Sequence, residues 1–442
     1  MADYHEMSMC DLGRAIGAGQ IDPVDLTAHF LDRAKAHRLS DRIYARFMED
    51  RAMAEATAAS ERAKAGVRRG LLDGVPVSWK DLFDTAGVAT EAGSALLKDR
   101  VPSVDAEALQ RATANGLVAL GKTHMSELAF SGLGLNPITA TPPCVNNEAA
   151  VSGGSSSGAA TSVAYGLAAG AIGSDTGGSV RIPSAWNDLV GLKTTSGRLS
   201  LDGIVPLVAS FDTVGPLCKT VEDAAATFAV LDGTPAPDLR GASLAGTRLL
   251  ILDNVVFDDI RAEPLQGFEA AVEKLKSAGA KIDRAAVPVV DEAMELSAVL
   301  FNTEAYAEWR DVIEAAPDLM YPRILDRFRA GEAFGGCDYV AAWKMLHRLR
   351  AQYLAQTAGY DAVILPTAPI MPPDIERLMT DADYYVTENL LALRNTRVGN
   401  LLGLAALTLP TGVASTGISL QTPPNSEARL LRLGAAVEAA LA

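Results

Sequence analysis

Cysteine, histidine and positive charge are all scarce in this chain of 442 residues, and each scarcity removes a class of function. The four cysteines, Cys10, Cys144, Cys218 and Cys337, lie far apart with no C-x-x-C pair, which argues against a disulfide framework and against cysteine zinc sites. A reducing cytoplasm fits that pattern. The five histidines include no pair at i, i+3 or i+4, so no metal is expected. Lysine plus arginine number 39 against 54 for aspartate plus glutamate, a net charge of −15 that disfavours nucleic acid or an anionic membrane as main partner. Membrane-spanning runs are also missing. The longest uncharged stretch, 149-AAVSGGSSSGAATSVAYGLAAGAIGS-174, is studded with serine and glycine and reads as buried interior. The start, MADYHEMSMCD, has no lysine or arginine, so a secretory signal is not expected.

What is present is a globular composition, 49% hydrophobic, with strands and helices in alternation. Residues 22–38 have apolar positions at helical spacing, with Asp22 as N-cap and Pro23 at the first helical position. Further helices are expected over 50–65, 105–116, 158–168, 264–278 and 338–357. Strands are expected at 74-GVPVSW-79, 117-LVAL-120, 248-RLLILD-253, 361-DAVILP-366 and 405-AALTLP-410. Such alternation favours an α/β architecture. Without a repeat, a low-complexity tract or a clear linker, a single domain over 1–442 is the expectation.

Two catalytic motifs fail on context. The string 116-GLVALGKT-123 matches G-x-x-x-x-G-K-[ST], but its variable positions look like a strand instead of a phosphate-wrapping loop. The string 154-GSSSG-158 centres Ser156 in G-x-S-x-G, yet only His347 follows it, on an amphipathic helix, so a Ser-His-Asp hydrolase fits poorly. Serine chemistry without histidine is what remains. There the base can be a lysine, provided burial brings its pKa from about 10.4 to near 7. Lys80 is a candidate because it ends the apolar strand GVPVSW.

The segments 74-GVPVSWKDLFDTAG-87, 153-GGSSSGAA-160 and 173-GSDTGGSVRIP-183 resemble the three signature blocks of the amidase signature family. The likeness extends through 121-GKTHMSELAFSGLGLNP-137, 190-VGLKTTSGRLSLDGIVPL-207, 211-FDTVGPLCKTVEDA-224 and 393-LRNTRVGNLLGLAALTLPTG-412, and is densest from about 70 to 225. The resemblance implies an α/β fold with one large mixed, mostly parallel twisted sheet covered by helices on both faces. It implies Ser179 as nucleophile, Ser155 as bridging serine after a cis peptide bond, and Lys80 as the ultimate base. It also places an oxyanion hole at the backbone N–H groups of Thr176, Gly177, Gly178 and Ser179, with Asp175 and Arg181 holding the loop in shape.

The implied activity is hydrolysis of a small-molecule amide through a serine acyl-enzyme, without a cofactor. An A-type subunit of a glutamine-dependent tRNA amidotransferase is the alternative, although 300-LFNTEAYAEWRDVI-313 looks like free-standing amidases. A catalytically inert binding protein on the same fold is another. Trp79, Ser152, Asp188, Thr194 and the segment 138–151 depart from the family pattern, and Cys144 is expected to be a buried thiol. Aliphatic amides, aryl amides, and ureas or carboxylated biurets are all compatible substrates, selected by a variable half from about 231 to 442. A homodimer is the oligomeric expectation.

Overall fold

The computed structural model describes residues 3–442; residues 1 and 2, part of the start expected to lack a secretory signal, lie outside it. Eleven strands form one sheet: β1 (Tyr44–Phe47), β2 (Pro76–Lys80), β3 (Val118–Thr123), β4 (Gly170–Ser174), β5 (Val190–Lys193), β6 (Val214–Cys218), β7 (Arg248–Leu252), β8 (Lys281–Ala285), β9 (Ala362–Pro366), β10 (Ala405–Pro410) and β11 (Gly417–Thr422). Their order is β1-β3-β2-β4-β6-β5-β10-β11-β9-β7-β8. Strands β2, β3 and β4 are buried along their whole length, as near-continuous apolar runs covered on both faces should be.

The sheet is mixed, as expected, but its parallel share is smaller than expected. Parallel pairing is confined to the two ends, β3-β2-β4 and β9-β7-β8. The joins through the middle, from β4 across β6, β5, β10 and β11 to β9, are antiparallel, and so is β1 against β3. The connections account for this. Helix Glu107–Ala114 separates β2 from β3 and helix Ala262–Ser277 separates β7 from β8, the crossovers that parallel pairs need. Strands β10 and β11 are joined directly by residues 411–416, too short for a crossover.

Helices flank both faces. A Cβ on Gly434, in helix Glu427–Leu441, would meet Leu407 Cδ2, while one on Gly417 would meet Ala185 of helix Arg181–Trp186 and Thr408 Cγ2. Leu407 and Thr408 are neighbours on β10, so they point to opposite faces and the two helices lie on opposite sides. Asp22 caps helix Pro23–Ala36 by accepting the Val24 N–H at 2.9 Å, with Pro23 in the first turn as expected. The expected strand at 117–120 is the start of β3, which absorbs the whole G-K-T end of the nucleotide-binding string. No helix among the described residues is long and apolar enough to cross a membrane. Strand β5, from the signature region, pairs with β10 from the C-terminal half, so both halves contribute to one sheet.

Candidate active site

Two neighbouring strand ends and one loop converge in the parallel group β3-β2-β4. Lys80 terminates β2 and Ser174 terminates the neighbouring β4, and both side chains are buried. Ser155 lies just before helix Ser157–Ala164, and the Gly154–Ser155 peptide is cis, as the resemblance implied. A Cβ at Gly154 would stand 2.6 Å from the Gly134 nitrogen and 2.7 Å from Ser126 Oγ, so the position admits only glycine. Lys80 Nζ is 2.7 Å from Ser155 Oγ and 2.8 Å from Ser174 Oγ. Complete burial pushes the Lys80 amine down to about 7, and the carboxylates of Asp212 and Asp175 offset only part of that effect.

Ser179 sits in the loop between β4 and helix Arg181–Trp186. No hydrogen bond joins its hydroxyl to Ser155 Oγ; the Ser156 N–H donates to the Ser179 carbonyl at 3.2 Å and holds the two segments side by side. The loop is organised by Asp175, which is wholly buried. Its carboxylate accepts from the Gly178 N–H at 2.9 Å, the Val180 N–H at 3.2 Å, Asn400 Nδ2 at 2.9 Å and two nitrogens of Arg181 at 2.9 Å. Burial alone would raise the Asp175 carboxyl, but the Arg181 guanidinium beside it holds it well below the usual carboxylate range. Arg181 is tied in turn to the Thr396 carbonyl at 2.8 Å and Asn400 Oδ1 at 2.6 Å. Thr176 Oγ donates to Asp212, and Thr396 Oγ donates to the Gly177 carbonyl at 2.7 Å.

These contacts narrow one expectation. Among the described residues the N–H groups of Thr176, Gly177 and Ser179 donate to no protein acceptor, whereas that of Gly178 is engaged by Asp175. Gly178 therefore serves the loop by its shape and is not a free donor. Its φ of 139° lies where side chains are strained, and a Cβ there would stand 2.1 Å from Thr396 Oγ. Gly177 has room: its nearest neighbour would be Leu393 Cδ2 at 3.5 Å.

The loop opens into a cavity of about 310 Å³ lined by Thr176, Gly177 and Ser179, with Phe130, Phe301 and Leu393 among its apolar walls. Lys80 and Ser155 are not among the residues that line it. A buried amine with a pKa near 7, a hydroxyl bonded to it, a second hydroxyl on the cavity wall and free N–H groups beside that wall can together generate an oxygen nucleophile and hold an oxyanion.

The rejected motifs find ordinary places. Ser156 Oγ is buried and donates to the Ser174 carbonyl at 3.2 Å, while His347 is exposed and tilted against Trp343. Lys122 is buried within β3, 2.8 Å from Thr90 Oγ. Cys144 is a buried thiol donating to the Trp186 carbonyl at 3.1 Å. Asp188 stands at φ 55°, and its carboxylate accepts the Ser415 N–H at 2.9 Å. A residue with a short hydrogen-bonding side chain tolerates this left-handed position, which explains how aspartate replaces a frequent glycine. Sequence reasoning missed Ser174, Thr396, Asn400 and the cavity arginines Arg327 and Arg397. Three of these, Thr396, Arg397 and Asn400, lie in the matched segment 393–412 and could have been nominated from it.

A family model described as Amidase matches residues 25–431. The chain is 35% identical over 450 aligned positions to 2-amino-5-chloromuconic acid deaminase of Comamonas testosteroni, covering 98% of this chain and 97% of that one. It is 28% identical over 484 positions to an A-type subunit of the glutamyl-tRNA(Gln) amidotransferase of Clostridium acetobutylicum, covering 98% of each. Among solved structures, native peptide amidase from Stenotrophomonas maltophilia superposes with a TM-score of 0.81 at 27% identity, over 99% of this chain and 97% of that one. A crystal structure of an amidase superposes at 0.86 with 29% identity, over 98% and 99% of the two chains.

Proposed function

The chain belongs to the amidase family and hydrolyses an amide C–N bond; we propose that it does so through an acyl-enzyme on Ser179, with Lys80 as base and Ser155 as the link between them. The observation that carries this reading is the 2.7 Å contact between Ser155 and a buried lysine whose pKa is pushed down to about 7, in a segment that the Ser156 N–H ties to the carbonyl of the cavity-lining Ser179.

In the neutral state Lys80 Nζ accepts the Ser155 hydroxyl proton and donates one N–H to Ser174 Oγ. Ser155 then turns its oxygen to the Ser179 hydroxyl as Ser179 Oγ attacks the amide carbon. Serine-to-serine contacts of this kind tighten when substrate arrives. The carbonyl oxygen gains negative charge and is received by the free N–H groups of Thr176, Gly177 and Ser179, each such donor contributing about 3–4 kcal/mol at the transition state. The proton held by Lys80 returns through Ser155 to the leaving nitrogen, the C–N bond breaks, and ammonia or an amine departs. Water enters and attacks the acyl carbon as its proton passes along the same path to Lys80; that proton then returns to Ser179 Oγ as the C–O bond breaks and the carboxylic acid leaves.

The substrate is taken to be a linear, small-molecule amide. The proposal includes one amidase domain, supported by the sheet that both halves build, and a cytoplasmic location, supported by four free cysteines, three of them buried. A homodimer is retained as an expectation that the mass in solution decides. The reading as an amidotransferase component is weaker, since that relative shares 28% identity against 35% for the deaminase. A neutral fluorophosphonate probe followed by peptide mapping tests the assignment. An adduct on Ser179 that is lost in Ser179→Ala is expected; an adduct on Ser156, or labelling that survives Ser179→Ala, would overturn it.

A further inference from the structure

Beyond Ser179 the cavity wall is mostly apolar, yet two arginines reach it: Arg327 from helix Pro322–Arg329 and Arg397 from helix Ala382–Leu401. Arg327 donates to the Phe130 carbonyl at 2.9 Å and its guanidinium lies 4.4 Å from the Phe130 ring centre. The Arg397 side chain makes no hydrogen bond among the described residues, and its guanidinium is 5.9 Å from the Phe301 ring centre. No carboxylate of the described residues lies within ion-pair distance of either. Of the other charged groups on this wall, Arg323 is committed to the backbone carbonyls of Leu378, Met379 and Asp381, and Asp326 is exposed and bridges to no cation.

A charge enclosed by apolar surface is costly unless a counter-charge meets it. Arg181 meets Asp175 in that way, and Arg46 meets Asp81. Arg327 and Arg397 are half-buried where they meet the cavity, and neither has such a partner among the described residues. They share one region of the cavity: burial pushes Arg397 down to about 9, and the nearby Arg327 charge adds to the effect. Both remain cationic at neutral pH. A guanidinium pair with free N–H groups matches a carboxylate in geometry and charge better than it matches a neutral amide or an alkyl chain.

We propose that Arg327 and Arg397 form a carboxylate-binding subsite, so that the amide presented to Ser179 carries a carboxylate elsewhere in the molecule. The inference rests on the cavity at Ser179 being the acyl-transfer site. Its substrate class is the monoamide of a dicarboxylic acid, or a related amide ending in a carboxylate. The acid group docks on the arginines, the carbon chain lies along Phe130, Phe301 and Leu393, and the amide carbon meets Ser179. This places the enzyme after a reaction that leaves one acid of a substrate free and the other as an amide, and its product is a dicarboxylate.

The test compares ammonia release from the monoamides of succinic, glutaric and adipic acids with release from straight-chain neutral amides of equal length. In the wild-type protein the best carboxylated amide is expected to exceed its neutral counterpart in kcat/KM by about a hundredfold, the worth of one or two charge-assisted hydrogen bonds. Arg397→Gln is expected to raise KM for that substrate about tenfold or more with a smaller change in kcat, and to collapse the preference; Arg397→Lys should restore part of it. A wild-type enzyme that hydrolyses both series equally would overturn the inference while leaving the acyl-transfer reading intact. Equal loss on both series in the Arg397 variants would also overturn it. A second measurement does not require turnover: glutarate should slow fluorophosphonate labelling of Ser179 in the wild type and not in Arg397→Gln. Labelling of Ser179 that glutarate fails to slow counts against the subsite alone, whereas absence of labelling at Ser179 counts against the acyl-transfer reading.

Discussion

Lys80 and Lys193 are near-twins in position and differ in what surrounds the nitrogen. Each ends a strand of the central sheet, β2 and β5 respectively, and each side chain is fully buried. Burial pushes both amines down to about 7; at Lys193 the nearby Arg181 charge adds to the effect. Lys80 meets two serine hydroxyls, at 2.7 and 2.8 Å, whereas Lys193 donates to the carbonyls of Thr194 and Leu404, both at 2.8 Å. A hydroxyl can give up a proton and a carbonyl cannot. The same depressed pKa therefore makes one lysine a candidate base and the other a clamp between β5 and the segment leading into β10. A shifted pKa reports burial; the partner atoms report chemistry.

Replacing each lysine by methionine is the sharpest way to break this comparison. Lys80→Met should lower kcat for any hydrolysed amide by about a thousandfold or more, the scale of losing a general base. Lys193→Met should keep kcat within about tenfold and instead cost about 1–3 kcal/mol of stability, because two buried carbonyls lose their donor. Steady-state ammonia release and denaturant unfolding separate the two outcomes. Similar rate losses in both variants would erase the distinction between base and clamp.

A smaller contrast lies in the loop that carries Ser179, the far end of the proton route proposed for Lys80. Gly178→Ala should reduce kcat about a hundredfold, since its Cβ would displace Thr396 and with it the Gly177 carbonyl. Gly177→Ala should cost less than about tenfold, because its nearest neighbour would be 3.5 Å away. Equal effects in the two variants would mean that the loop tolerates or rejects side chains for reasons other than these contacts.

Much of this site was legible because it is written in short, contiguous strings. The strand ending at Lys80, the Gly-Gly-Ser run before Ser157 and the loop carrying Ser179 each supply their own local signals: an apolar run, small residues at a close approach, a glycine pair. The Asp22 cap and the helix behind Pro23 were legible for the same reason. What the sequence could not order was long-range. Nothing local distinguishes Lys80 from Lys193, since both are strand-end lysines in matched blocks. The engagement of the Gly178 N–H by Asp175 depends on a network with Arg181, Asn400 and Thr396, whose last two members come from more than two hundred residues away. The pairing directions in the middle of the sheet likewise depend on β10 and β11 inserting beside β5, which alternation along the chain does not encode. Arg327 and Arg397 are unremarkable on their own helices and acquire meaning only where the two helices meet a shared cavity.

The central claim is that Lys80, and not its buried twin, activates Ser179. The most direct measurement is the rate of fluorophosphonate labelling at Ser179 as a function of pH in the wild type, Lys80→Met and Lys193→Met. A lysine acts as base only when neutral, so the wild-type rate should climb as pH rises through about 7 and level off above it. Lys193→Met should retain that limb, and Lys80→Met should label slowly with no inflection there. A limb near pH 7 that persists in Lys80→Met, or that disappears in Lys193→Met, would contradict the assignment.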